Sequence, residues 1–220
     1  MGELVVTENK TDHLSMRSAD SVVYIVDDDI SVRESLEGLI LEAGWQPSAF
    51  ASASDFLASP PAASPNCLVL DVSLPDLNGL DLQQMIAGER ADMPIIFITG
   101  YGDVPMSVRA MKAGAVEFLT KPFGDEALLS AIRGALERSA NRQETAADMQ
   151  SSRCRYDLLS RREREVMALV VSGLMNKQVA GKLGISEITV KAHRGRLMRK
   201  MEAASLADLV KLAAKLEVPG

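Results

Sequence analysis

Hydrophobic positions fall in two rhythms along this 220-residue chain. Over the first part, short apolar runs recur: VVYIV at 22–26, CLVL at 67–70, PIIFIT at 94–99 and VEFL at 116–119, with a weaker run, QPSAF, at 46–50. Such brief, nearly continuous runs suit strands covered on both faces. Between them the spacing changes to three and four. In SVRESLEGLILEAG, Val32, Leu36, Leu39, Ile40 and Ala43 share one helical face, Ser31 and Glu34 have capping-box spacing, and Gly44 marks a stop. Further helices are predicted over 53–59, 80–91, 104–113 and 125–139, the last presenting Leu128, Leu129, Ile132, Ala135 and Leu136. Strands alternating with helices imply a parallel sheet with helices on both faces, a doubly wound α/β fold.

After residue 139 the strand rhythm stops. Residues 140–156 are polar and weakly periodic and read as a linker, for which a helix is one of the open forms. Beyond it, Ser160 and Glu163 repeat the capping-box spacing and Gly173 closes the helix they open. A short helix starts at Asn176 and ends at Gly184, Ser186 caps EITVKAHRGRLMRKM, and Ser205 caps LADLVKLAAKL. Two short helices joined by Gly184-Ile185-Ser186 make a helix-turn-helix. The chain therefore divides into a tail (1–20) expected to be disordered, an α/β domain (21–139), the linker (140–156) and an all-α domain (157–220).

Charge separates the same two parts. Residues 157–220 hold 12 Lys and Arg against 7 Asp and Glu, a net +5, whereas the rest holds 12 against 23, a net −11. The basic part is suited to nucleic acid and the acidic part to cations. Two cysteines, Cys67 and Cys154, give no disulfide framework and fit a reducing cytoplasm. No apolar run approaches the roughly 18 residues of a membrane span, and the first 20 residues lack the apolar core of a signal peptide, so no membrane association is expected.

Candidate chemistry gathers where the apolar runs end. In open parallel sheets, sites form beyond the carboxyl ends of the strands. Asp27 and Asp28 follow the first run, Asp71 the third, Thr99 ends the fourth and Lys121 follows the fifth. With strand order 2-1-3-4-5 the first and third strands are neighbours and their acids converge. Three carboxylates at ~4–6 Å repel by several kcal/mol per pair at an effective dielectric of ~20. A divalent cation with oxygen-only ligands, Mg²⁺ or Mn²⁺, removes that cost. Asp71, the lone acid at its strand end, is the candidate nucleophile toward a phosphoryl group; Asp27 and Asp28 would hold the metal, and Thr99 and Lys121 would contact phosphoryl oxygens.

The segments IVDDD, LVLDVSLPDLNG, FITGYGDVPMSVRAMKAGAVEFLTKPF and the helix-turn-helix together resemble a FixJ-like two-component response regulator with a LuxR/NarL-type output domain. The resemblance covers about residues 22–216 and implies a flavodoxin-like receiver. It implies phosphorylation of Asp71 by a sensor histidine kinase, with the metal on Asp28, Asp71 and the Ser73 backbone carbonyl and Asp27 acting through water. Thr99 and Phe118 become the switch pair, Lys121 the phosphate-binding lysine, and the Lys121-Pro122 bond cis. It further implies a homodimer on phosphorylation, formed through the fourth helix, fifth strand and fifth helix, with double-stranded DNA and RNA polymerase as partners. Ser73-Leu74 stands where FixJ-like proteins usually carry an Arg-Met or similar pair.

In the recognition helix, Ile188, Val190, Leu197 and Met201 are assigned to packing. The resemblance implies Lys191 and Ala192 at base- or backbone-facing positions; Arg194, Arg196 and Arg199 complete the candidate DNA contacts, with Lys200 a further cation and His193 divided between phosphate contact and packing. Gly195 stands where the family often carries a basic contact. Two other classes of function are rivals. A metal-dependent phosphatase with an aspartyl nucleophile often has a second acid two residues on, where this chain has Ser73. A module binding RNA or protein fits less well, because a helix-turn-helix suits the duplex major groove.

Overall fold

The computed structural model describes residues 20–90, 93–100 and 104–218, so the tail at 1–19, with His13, lies outside the described residues. Five parallel strands, β1 (Val22–Val26), β2 (Gln46–Phe50), β3 (Asn66–Asp71), β4 (Ile95–Thr99) and β5 (Glu117–Thr120), form one sheet in the order β2-β1-β3-β4-β5. All four pairings are parallel, and Val26 lies level with Leu70 across β1 and β3. The expected 2-1-3-4-5 order therefore holds. The helices are α1 (Ile30–Glu42), α2 (Ala53–Ala58), α3 (Gly79–Glu89), α4 (Val104–Lys112) and α5 (Asp125–Asp157).

Strand alternation sorts side chains to the two faces. On one, Tyr24, Val26, Leu68, Leu70 and Phe97 pack with Leu82 and Ile86 of α3 and Phe56 of α2. On the other, Val23, Ile25, Val69, Ile96 and Ile98 pack with Leu36 and Ile40 of α1 and Leu128, Ile132, Ala135 and Leu136 of α5. Cys67 lies in this second core, and burial pushes its thiol well above the ordinary range.

Two local expectations are corrected. The cap of α1 is Asp29, whose Oδ1 accepts the Ser31 N–H at 2.8 Å, so Ser31 lies inside the helix. Asp is as good a cap as Ser, and starting two residues earlier satisfies donors of the first turn directly after the strand. The helix predicted to stop at residue 139 continues to Asp157, taking in the linker. Between Asp125 and Asp157 there is no proline and one glycine, Gly134, so nothing in the polar stretch interrupts the helix. Ser139 and Gln143 on α5 also tie to the α/β fold: the Ser139 hydroxyl accepts the Asn66 N–H at 3.1 Å and Gln143 donates to the Ser64 carbonyl at 3.0 Å.

The protein divides into two compact units, 1–143 and 144–220. The second contains α6 (Arg161–Val171), α7 (Asn176–Leu183), α8 (Glu187–Lys200) and α9 (Leu206–Lys215) around Leu159, Val166, Met167, Val170, Val179, Val190, Leu197, Met201 and Leu209. Ser160 and Glu163 form the expected capping box, and Ser186 and Ser205 cap α8 and α9. Gly184, at φ 66°, closes α7 in the left-handed region, which glycine enters without a Cβ clash. Buried Glu163 also accepts from Lys200 Nζ at 2.7 Å. Burial opposes ionisation of Glu163, but that ammonium and the Ser160 N–H outweigh it and hold the carboxyl below its ordinary value. Among the described residues no helix is long and apolar enough to cross a membrane.

Candidate functional site

The carboxyl edge of the sheet brings together residues that the sequence separates by up to 94 positions. Asp71 is the last residue of β3, and Asp27 and Asp28 leave the adjacent end of β1. Ligand oxygens of Asp27, Asp28 and Asp71 all lie within 4.8 Å of one another. Asp27 and Asp71 are buried and Asp28 is exposed. With all three ionised and one lysine among them, the cluster carries a net −2.

Each buried acid is held in the same way. Asp27 Oδ1 accepts the Asp29 N–H at 2.9 Å, and Asp71 Oδ1 accepts the Ser73 N–H at 2.9 Å. The second oxygen of each accepts from Lys121 Nζ at 2.7 Å. Burial raises the Asp27 carboxyl above its ordinary value in spite of the Lys121 ammonium and the Asp29 N–H. Burial lowers the Lys121 ammonium, but its two charge-assisted hydrogen bonds prevail and its value is raised. Removing Lys121 would leave two buried carboxylates without their compensating charge. Lys121 is delivered by β5: its N–H donates to the Thr99 carbonyl at 2.8 Å, and its bond to Pro122 is cis.

The oxygen-only donor set fits a hard divalent cation, and the exposed Asp28 leaves water access for an ion that keeps part of its hydration shell. Thr99 is buried at the end of β4. Phe118 is half-buried, with its ring centroid 6.3 Å from that of Phe97. Ser73 forms an isolated bridge with Asn78, closing the loop after Asp71.

Two supports of this edge were not read from the sequence. Arg33 Nη1 donates to the carbonyls of Asp27 and Asp28 at 2.7 and 2.9 Å, pinning the acidic turn from α1. Gly79 begins α3 directly against β3: its N–H donates to the Val72 carbonyl at 2.9 Å, and a Cβ there would lie 2.6 Å from the Asp71 carbonyl oxygen. The Asn78-Gly79 pair is a turn signal, though nothing local says what approaches it.

In the second unit, α7 and α8 form the helix-turn-helix. Lys191, Ala192, Arg196 and Arg199 are exposed on α8. Arg194 is half-buried and donates to Asn176 Oδ1 at 3.2 Å, which places it away from those four. His193 is half-buried, and Lys200 is engaged with Glu163. One packing assignment is overturned: Val190, Leu197 and Met201 are buried, but Ile188 is 79% exposed. Two residues on a helix span about 200°, so a face that buries Val190 turns Ile188 outward.

Residues 23–133 match the response regulator receiver domain, and residues 157–213 match the luxR family of bacterial regulatory proteins. The chain is 50% identical over 201 residues to nodulation protein W of Bradyrhizobium diazoefficiens, covering 91% of this chain and 88% of that protein. It is 44% identical to the transcriptional regulatory protein FixJ of Azorhizobium caulinodans, covering 87% and 90%. Among solved structures, the response regulator StyR superposes with a TM-score of 0.82 at 45% identity, covering 89% of this chain and 99% of that one. Full-length FixJ from B. japonicum gives 0.54 at 39%, covering 90% and 98%. A receiver fold with its acids at the carboxyl edge, a basic helix-turn-helix later in the chain and relatives spanning both parts lead to one conclusion: the chain belongs to the two-component response regulators that join a receiver domain to a LuxR-type DNA-binding domain.

Proposed function

We propose that Asp71 is the phosphoacceptor of this transcriptional regulator and that its phosphorylation controls DNA binding. The observation that carries this reading is Lys121 Nζ lying 2.7 Å from both Asp27 and Asp71 at the carboxyl edge of the sheet. An Asp71 carboxylate oxygen attacks the phosphoryl group presented by a sensor histidine kinase; the new O–P bond forms as the P–N bond to the kinase histidine breaks. Lys121 is placed to turn from the carboxylates to the arriving phosphoryl oxygens. Asp28, Asp71 and the Ser73 carbonyl, with Asp27 through water, would hold Mg²⁺ or Mn²⁺. That ion supplies charge neutralisation on the phosphoryl oxygens.

The receiver comprises residues 21–139, the helical segment 140–156 follows, and residues 157–220 bind the duplex. Thr99 meets the new phosphoryl group through its hydroxyl and Phe118 follows it, biasing the surface of α4, β5 and α5 toward a homodimer. Exposed Val104, Val108 and Met111 on α4 support an apolar contact there. On the promoter, Lys191, Ala192, Arg196 and Arg199 of α8 meet DNA, Arg194 contributes from the helix flank, and RNA polymerase is the further partner. Two unpaired cysteines fit action in the cytoplasm. The test is Asp71→Asn treated with acetyl phosphate. The parent gains a hydroxylamine-labile phosphoryl mass and the variant gains none; an unchanged labile adduct on Asp71→Asn would place the acceptor elsewhere.

A further inference from the structure

The exposed isoleucine at the start of α8 has no packing role, and its surroundings say what it meets. At about 100° per residue, Lys191, Ala192, Gly195 and Arg199 all lie within about 60° of Ile188 around the helix, and all are exposed or half-exposed. Val190, Leu197 and Met201 occupy the opposite side, in the core. Ile188 therefore sits on the centre line of the outward face, one residue into the helix after Glu187. Beyond it, Ala192 and Gly195 keep the face low: a Cβ built on Gly195 meets nothing within 4 Å. Lys191 and Arg199 flank it with positive charge.

A single exposed apolar side chain is ordinary on a protein surface and asks for no explanation by itself. Position makes this one different. The N-terminal part of the second helix of a helix-turn-helix is the part that reaches base edges. Ser186 fixes that turn, its hydroxyl accepting the Thr189 N–H at 3.1 Å and sharing a hydrogen bond with the Thr189 hydroxyl at 2.8 Å. Phosphates and base amides offer an isoleucine nothing. The one apolar group on the base edges of the major groove is the thymine C5 methyl.

We propose that Ile188 is a specificity-determining residue that packs against a thymine methyl in each half-site of the operator. The inference rests on the duplex-binding reading above and adds to it a base and a contact. Lys191, one turn on, has the donors to contact a neighbouring guanine, so Ile188 and Lys191 together define a T-and-G-containing step. Arg199, two turns further along, is left with the phosphates.

The experiment uses the full-length protein treated with acetyl phosphate. Duplexes are first selected from a random pool by the parent. Each thymine of the recovered site is then replaced singly by deoxyuridine, which removes only the methyl. The parent is expected to lose about fourfold in affinity at one thymine per half-site, the equivalent of about 0.8 kcal/mol for one buried methyl group. Ile188→Ala is expected to bind that thymine and its deoxyuridine equally, while responding as the parent does at every other thymine; Ile188→Val keeps the sensitivity. Circular dichroism confirms that the exposed substitutions leave the fold intact. If Ile188→Ala keeps the parent's response at every thymine, or weakens selected and scrambled duplexes equally, the proposal is overturned. If the parent recovers no sequence from the pool, the duplex-binding reading beneath it fails instead.

Discussion

Gly79→Ala is expected to damage the receiver although it replaces a poor helix former with the best one. A Cβ at Gly79 would lie 2.6 Å from the Asp71 carbonyl oxygen, 3.0 Å from the Val72 Cα and 3.3 Å from the Asp71 carbonyl carbon. All three are backbone atoms at the end of a strand buried on both faces, so no flexible side chain can yield. Carbon–oxygen contacts run to about 3.3–3.6 Å and carbon–carbon contacts to about 3.5–4.0 Å, so the approach to the Asp71 oxygen is short by at least about 0.7 Å and that to the Val72 Cα by at least about 0.5 Å. Overpacking of this kind costs about 1–3 kcal/mol. Replacing glycine in a helix recovers at most about 1 kcal/mol, and less at the first helical position. The net destabilisation is about 1–2 kcal/mol, a fall of roughly 4–8 °C in the receiver's melting temperature at this domain size. Gly38 provides the internal comparison: it lies inside α1, is exposed, and a Cβ there meets nothing within 4 Å. Gly38→Ala therefore raises the same transition by up to about 1 kcal/mol. On the proposal that Asp71 is the phosphoacceptor, Gly79→Ala is expected also to slow phosphorylation by acetyl phosphate, because the clash falls on the Asp71 backbone, and Gly38→Ala is not; displacements near 1 Å at a reacting group can cost about 100-fold. Scanning calorimetry and mass-resolved phosphorylation time courses measure both effects. A Gly79→Ala protein that melts at or above the parent temperature and accepts phosphate at the parent rate would refute the argument.

Two further outcomes concern the DNA-binding unit. Glu163→Gln keeps the capping acceptor but removes the charge facing Lys200, and is expected to cost roughly 1–2 kcal/mol at neutral pH. Since the folded-state Glu163 value is depressed, this stability is present above the ordinary Glu value near 4.3 and is lost as pH falls through the folded value, so the melting curves of parent and variant converge in acid. Arg199→Ala weakens selected and scrambled duplexes alike and reduces the magnitude of the log-affinity against log-salt slope by about 0.9 for each phosphate that the guanidinium no longer neutralises; an altered base preference would place Arg199 on the bases instead.

What this sequence determined by itself is whatever depends on neighbours along the chain. Apolar runs against three-and-four spacing separated five strands from their helices. Ser160 with Glu163, Ser186, Ser205 and Gly184 bounded the C-terminal helices, because a cap is made by atoms three or four residues apart. The convergence of the acids after the first and third runs was legible, since strand ends in parallel sheets share one edge. Even Ile188 was legible in principle: its two-residue offset from Val190 puts the pair on opposite faces, and hydrophobicity alone concealed this.

Tertiary structure decided the rest. It brought Lys121 between Asp27 and Asp71, because a cation 50 positions from one acid and 94 from the other settles where burial makes its charge worth most. It recruited Arg33 to the carbonyls of the acidic turn and laid α3 so close to β3 that only Gly79 fits. It moved the cap of α1 from Ser31 to Asp29 and drew Arg194 aside to Asn176. Each of these turns on a distance between atoms that the period of a pattern does not encode: pattern along a chain carries the rhythm of its elements but not the gap between them.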